Sequence, residues 1–233
     1  MLSAPLPLPK AVRLIATRRT FATASTLAGV AALAALYLLH PVDGAMAQGA
    51  AGASVAKPAS LPDMALGPAT APVTIVEYAS MSCPHCAGFA QNVFPMLKSK
   101  YIDPGKVRFV FREFPLDIKA AAASMLARCI AGGDAGKYFE AVEQLFKAQD
   151  QLMEHTTDTL KRIGKQQAGM SDEAVETCVK NQAQLDKLKA DQNFAFEKLK
   201  VDATPTFFIN DEKLKGAMSF EELDQKIRSL LRR

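Results

Sequence analysis

The chain has 233 residues, of which 49% are hydrophobic and 22% are charged, so it can bury a core of ordinary size. Its formal net charge of +4 lies mostly at the N-terminus, because four basic residues and one acidic residue, Asp43, fall in the first 47 positions. A nucleic-acid-binding protein would carry its positive charge on the folded part. The charge distribution therefore argues against nucleic acid as a partner.

The first 47 residues are typical of an export signal. Arg18 and Arg19 precede an apolar run over residues 27–39, and Ala45-Met46-Ala47 then follows with the small-x-small pattern of a cleavage site. The run is shorter than the roughly 20 residues that cross a bilayer, which favours cleavage after Ala47 over an uncleaved, membrane-anchored form. The two arginines resemble a twin-arginine signal, and a general secretory signal is the alternative. We expect the folded part to lie in the periplasm.

A flexible linker is expected over residues 48–70, which are rich in small residues, Gly and Pro and lack apolar periodicity. Beyond it, the β-branched run 73–78 is typical of a buried strand, and a helix is expected from residue 84 to about residue 100, kinked at Pro95. Residues 107–111 are typical of a second strand. A strand, a helix and a strand within about 40 residues predict a βαβ unit with parallel strands.

Residues from about 117 to 200 carry apolar side chains at helical spacing, which predicts a helical insert. Two further strands are expected at residues 206–209 and 213–215, followed by a last helix with a capping box at Ser219. The predicted fold class is therefore α/β. One domain is expected over residues 71–233, with the insert between a βαβ half and a ββα half.

The motif Cys83-Pro84-His85-Cys86 predicts a redox pair. At the start of a helix, unpaired N–H groups and the helix dipole stabilise the thiolate of the first cysteine. The second cysteine lies one turn further along, where it can resolve a mixed disulfide. The ring of His85 could add a hydrogen-bond donor or a positive charge near Cys83. Stabilising the thiolate stabilises the dithiol and makes the disulfide a stronger oxidant.

Two other uses of this motif are less favoured. A zinc knuckle needs two further ligands at knuckle spacing, whereas Cys129 and Cys178 are isolated on separate predicted helices. A purely structural bridge would close so short a loop that it gains little from chain entropy. Redox catalysis is therefore favoured, with no metal and no cofactor.

Two segments resemble the DsbA family of periplasmic disulfide oxidoreductases, which have a thioredoxin-like fold. They are residues 73–86 (VTIVEYASMSCPHC) and residues 201–210 (VDATPTFFIN), and the similarity extends over about residues 70–233. The resemblance implies that Cys83 is the nucleophile and that Cys86 is the resolving thiol. It also implies that Pro205 is a cis-proline beside the disulfide, with Thr204 tuning reactivity and the backbone contact with substrate.

Glu77 matches the buried acid that the family places on the first strand of the motif, beneath the active site. A carboxylate inside an otherwise apolar strand is costly unless it has a role, such as taking protons from Cys86. The alternative is an edge-facing surface residue.

Cys129 and Cys178 resemble an extra cysteine pair of some alphaproteobacterial relatives, where the pair forms a second disulfide. Such a bridge would add about 3–4 kcal/mol of stability on the chain-entropy model. Two buried free thiols are the alternative. A further hypothesis is that this bridge shifts the redox potential of the active site from a distance.

The favoured function is an oxidase that passes its disulfide to reduced or misoxidised exported proteins. The resemblance implies reoxidation by a quinone-linked membrane partner of the DsbB kind. A periplasmic disulfide reductase or isomerase is the first alternative. A thioredoxin-like chaperone or copper(I)-binding protein is the second, since two thiolates suit copper(I).

Overall fold

A computed structural model describes Val55, residues 60–210 and residues 212–232. The predicted export signal lies outside these described residues, as does the predicted linker up to residue 59 apart from Val55. Within the described part of the chain, every helix is too short or too polar to span a bilayer.

The centre of the domain is a sheet of five strands. In spatial order the strands run β1-β3-β2-β4-β5. Strands β2 and β3 are parallel, which confirms the predicted βαβ unit, and every other neighbouring pair is antiparallel. The strands are β1 (Met64–Leu66), β2 (Val73–Ala79), β3 (Val107–Glu113), β4 (Thr206–Ile209) and β5 (Glu212–Lys215).

The described residues also form nine α-helices and one π-helical turn, Lys98–Ile102. Helices α3 to α8 lie between β3 and β4, so the α/β fold with its helical insert is confirmed. The helices are α1 (Pro84–Asn92), α2 (Phe94–Leu97), α3 (Ile118–Ala131), α4 (Ala135–Lys147), α5 (Gln149–Glu154), α6 (Thr156–Ala168), α7 (Asp172–Val179), α8 (Gln182–Glu197) and α9 (Phe220–Leu231).

The helix expected up to about residue 100 is interrupted rather than kinked. Helix α1 ends at Asn92, and α2 starts at Phe94 with Pro95 in its first positions. Pro95 lacks an N–H to continue the earlier hydrogen-bond ladder, and its φ angle suits the first turn of a new helix.

Both faces of the sheet are buried, because side chains on a strand alternate between them. On one face Ile75 and Phe109 join the core formed with α1 and the insert. On the other face Val76 and Val110 pack with Ala195 at the end of α8. Strands that are buried on both faces have almost continuous apolar sequences, and for this reason β2 and β3 could be predicted from their composition.

Part of the segment expected as a flexible linker is folded. Residues Met64–Leu66 form β1, an edge strand antiparallel to β3. Just before it, the carboxylate of Asp63 accepts two hydrogen bonds from the buried guanidinium of Arg112, at 2.8 and 3.0 Å. The Pro62 carbonyl accepts a third from Arg128 at 3.1 Å. These contacts attach the segment to the sheet although its composition is that of a linker.

Strand β3 is also two residues longer than expected, because it continues through Arg112 and Glu113. Both are charged, which suggests the end of a strand, yet both are buried and paired. Arg128 on α3 donates two hydrogen bonds to the Glu113 carboxylate, at 2.6 and 2.7 Å, and the Tyr138 hydroxyl donates a third at 2.7 Å. Pairing of this quality makes buried charge tolerable.

Cys129 on α3 and Cys178 on α7 form a disulfide, so the alternative of two free thiols is wrong. The bridge closes a loop of 49 residues within the insert. Replacing both cysteines with Ala should lower the free energy of unfolding by about 3–4 kcal/mol, because the unfolded chain loses its cross-link. Urea denaturation measures this, with Cys83 and Cys86 kept in one redox state. An unchanged free energy would contradict the expected stabilisation.

Candidate active site

The first turn of α1 presents Cys83 at the position where a helix binds negative charge. Cys83 is the N-cap residue, and Pro84 opens the helix. The Cys83 carbonyl accepts the first helical hydrogen bond, from the N–H of Ala87 at 3.1 Å. Pro84 has no N–H, and the N–H groups of His85 and Cys86 have no partner within the helix and point to the Cys83 sulfur.

These surroundings lower the pKa of Cys83 from 9.0 to about 5. The largest cause is a hydrogen bond from the side chain of Cys86, and partial burial opposes it. Thr204 and the backbone N–H groups of Cys86 and His85 lower the pKa further. The sulfur of Cys83 is therefore a thiolate at neutral pH.

The two thiols of the motif differ in exposure and in acidity. Both are free in this structure, and Cys83 is 5% exposed while Cys86 is fully buried. Burial raises the pKa of Cys86 far above the ordinary thiol range, and the hydrogen bond to Cys83 and the charge of Glu77 raise it further. Cys83 is thus the less buried and more acidic of the two sulfurs, and Cys86 is the enclosed thiol.

The loop before β4 lies against Cys83. The peptide bond between Thr204 and Pro205 is cis. When Cys83 is protonated, its thiol donates a hydrogen bond to the Thr204 carbonyl, 3.2 Å away. The Thr204 hydroxyl is buried without a partner in this dithiol form, which leaves it available to a thiolate at Cys83. The structure therefore places Thr204 and Pro205 beside the redox pair.

Glu77 lies beneath the pair, near the end of β2. It is 3% exposed, so the alternative of a surface residue is wrong. One carboxylate oxygen, Oε1, is buried without a hydrogen-bond partner. Burial raises the pKa of Glu77 well above its ordinary value, and the charge of Cys83 adds to the effect. The Glu77 carboxyl group therefore binds a proton more readily than an exposed carboxyl group does.

A narrow cavity of about 30 Å³ reaches Glu77 from the side of α1 and α4. This volume has room for about two water molecules. The rest of its wall is mostly aromatic, with Ala90 and Val142 as further apolar residues and Glu143 as the one other charged residue. The aromatic wall consists of Phe89, Phe94, Phe109, Phe111, Phe139 and Phe146.

Pro84 and His85 are both exposed at the start of α1. The contribution of His85 to the acidity of Cys83 comes from its backbone N–H rather than from its ring.

One side chain that contacts this site has no signal in the sequence. The amide of Gln149, the first residue of α5, donates to the carbonyls of Met81 and Cys83 at 2.8 and 3.1 Å. It lies 66 residues after Cys83 in a polar stretch, so no local pattern connects the two.

The low pKa of Cys83 predicts how fast this thiol reacts with an alkylating reagent. Only the thiolate reacts, so the rate should rise with pH through a midpoint near pH 5 and then level off. Stopped-flow alkylation of the reduced protein measures this, with Cys83→Ser as the control that removes the fast phase. A midpoint above pH 8 would contradict the described hydrogen bonding.

Comparison with known proteins agrees with this geometry. Residues 59–229 match the family described as Thioredoxin. The crystal structure of alpha-DsbA1 from Wolbachia pipientis superposes with a TM-score of 0.66 at 34% sequence identity, covering 72% of this chain and 90% of that one. Disulfide bond formation protein D of Bacillus subtilis is 26% identical over 170 residues, which are 72% of this chain and 76% of that protein.

A Rickettsia bellii protein provisionally named a protein-disulfide oxidoreductase is 36% identical over 150 residues. The match covers 64% of this chain and 57% of that relative, so the chain spans little more than half of the relative's length. The family match covers more than half of this chain, and the chain covers most of a solved relative above 30% identity. The chain therefore belongs to the thioredoxin family, within its DsbA group.

Proposed function

We propose that the chain is an exported thiol–disulfide oxidoreductase that introduces disulfides into proteins folding in the periplasm. The observation that carries the proposal is the contrast within one motif. Cys83 has a pKa of about 5, whereas the neighbouring thiol of Cys86 is held protonated by burial. A dithiol in which one member is a stabilised thiolate gives up its electrons reluctantly, so the corresponding disulfide is a strong oxidant.

The reaction starts from the Cys83–Cys86 disulfide and a substrate thiolate. The thiolate attacks Sγ of Cys83, the more accessible sulfur, and the bond to Cys86 breaks. Cys86 leaves with the electron pair and takes up a proton. A second substrate thiolate then attacks the substrate sulfur of the mixed disulfide, and Cys83 leaves as a stabilised thiolate. In total, two electrons pass from the two substrate thiols to the Cys83–Cys86 pair, and the substrate leaves with a disulfide.

Glu77 is the group proposed to exchange the proton with Cys86. Its charge acts on the pKa of Cys86, so the two groups are close enough to interact. A carboxylate whose pKa is raised by burial can accept the proton of Cys86 when the disulfide forms, and give it back when the disulfide breaks and Cys86 leaves.

Substrate and partner follow from this chemistry. The substrates would be reduced or misoxidised exported proteins, and the product dithiol needs an oxidant that accepts two electrons. A quinone-linked membrane protein of the DsbB kind is the proposed reoxidant. The name of the Bacillus relative, disulfide bond formation protein D, supports a role in disulfide formation.

Equilibration with glutathione buffers tests the direction of exchange. The free thiols of the mature protein, counted by an alkylation gel shift, should give a potential near −120 mV. A value near −250 mV would fit a reductase and contradict the oxidase. Replacing Cys83 and Cys86 together with Ser should abolish transfer, whereas a chaperone would keep its activity.

Replacing Glu77 with Gln tests the proposed proton exchange. The variant keeps the size of the side chain but cannot take up a proton at neutral pH. Attack of Cys86 on the mixed disulfide should slow by roughly ten- to a hundredfold. Rapid-quench analysis of a mixed disulfide between Cys83 and glutathione measures this step. An unchanged rate would remove Glu77 from the mechanism.

A further inference from the structure

The helical insert contacts the active-site loop through the side-chain amide of Gln149. The Nε2 group donates to the carbonyl oxygens of Met81 at 2.8 Å and Cys83 at 3.1 Å. Both N–H bonds of this one amide can therefore be used, one for each carbonyl. Gln149 is the first residue of α5, and only Ala148 separates it from the end of α4 at Lys147, so its backbone is fixed by two helices.

The two carbonyls lie on either side of Ser82, the residue just before the nucleophile Cys83. The loop between β2 and α1 is held from within, because the N–H of Cys83 donates to the Ser80 carbonyl at 3.1 Å. The Ser80 hydroxyl in turn accepts the N–H groups of Ser82 at 3.3 Å and Leu116 at 3.2 Å. Gln149 holds the same loop from the side of the insert.

We propose that Gln149 is a positioning residue for the redox pair, whose amide holds the Met81 and Cys83 carbonyls and so fixes Cys83 at the start of α1. The inference rests on the proposed function only in taking Cys83 as the nucleophile. It assigns a role in reactivity to a residue of the insert that touches neither sulfur.

Two physical effects act in the same direction. Carbonyl oxygens carry partial negative charge, and the amide hydrogens of Gln149 offset that charge on the carbonyls of Cys83 itself and of Met81. The same hydrogen bonds fix the orientation of the first turn, and the N–H groups of His85 and Cys86 depend on that orientation to reach the sulfur. Loss of the amide should therefore make the Cys83 thiolate less stable.

The test compares Gln149→Leu with Gln91→Leu. Gln91 on α1 also donates its amide to a carbonyl of the insert, that of Phe146 at 3.1 Å, but it does not contact the active-site loop. Each variant therefore loses one glutamine side chain that joins the insert to the α1 region. Gln91 joins α1 itself to the insert, and Gln149 joins the insert to the loop before α1. Only Gln149→Leu loses hydrogen bonds to Met81 and Cys83.

The expected result is a selective change at Cys83. Gln149→Leu should raise the pKa of Cys83 by about half a unit to one unit, as expected for the loss of hydrogen bonds of ordinary strength. The equilibrium constant with glutathione should shift by about three- to tenfold toward a less oxidising disulfide. Gln91→Leu should leave both quantities at the wild-type values, even if both variants melt at a lower temperature.

A second variant keeps the test decisive if Gln149→Leu folds poorly. Gln149→Glu preserves the length of the side chain, removes both donors and adds negative charge, so it should raise the pKa of Cys83 at least as far. A wild-type pKa and a wild-type glutathione equilibrium in the Gln149 variants would overturn the proposal. So would an equal change in Gln91→Leu, because the effect would then be structural.

The thiolate titration needs no substrate, which separates the two proposals. If the wild-type protein transfers no disulfides, the proposed function fails. The comparison of Cys83 acidity between Gln149→Leu and wild type still decides the role of Gln149.

Discussion

A negative charge on the sulfur of Cys83 is the feature on which the rest of the site depends. A thiolate at an apolar surface would be costly, and here it is stabilised by the thiol of Cys86 and by N–H groups at the start of α1. Every element near the site contributes to this arrangement. Strand β2 and its loop place the start of the helix, the segment around Pro205 supplies Thr204, and the insert supplies Gln149.

The same arrangement separates the roles of the two cysteines by environment. They are two residues of one type on one helical turn, yet one is acidic and the other is held protonated. The difference arises because Cys86 faces the core above Glu77, where burial penalises charge. A buried acid next to a buried thiol can share one proton between them, and this sharing is the role proposed for Glu77.

The parts of this structure that were predictable from the sequence are those with local causes. The CPHC motif, the β-branched run of β2 and the capping box at Ser219 each depend on residues a few positions apart. Strand β1 could not be predicted, because Met64–Leu66 is short and pairs with β3 more than 40 positions away. The sequence predicted that β3 ends before Arg112 and Glu113, because both are charged. Their burial depends on partners from other parts of the fold, Asp63 and Arg128, which a local pattern does not reveal. The role of Gln149 could not be predicted from the sequence either, because the residues that it contacts lie 66 and 68 positions before it.

The Cys83 thiolate stabilises the folded reduced state, and the pH dependence of unfolding measures that stabilisation. The pKa of Cys83 falls from 9.0 in an ordinary environment to about 5 in the folded dithiol form. This contribution to stability is therefore fully present above pH 9, decreases as pH falls, and is lost below about pH 5. Urea denaturation of the reduced and oxidised forms should show the reduced form more stable at pH 7, by a margin that disappears near pH 5. A margin that does not change with pH, or an oxidised form more stable at pH 7, would contradict the account.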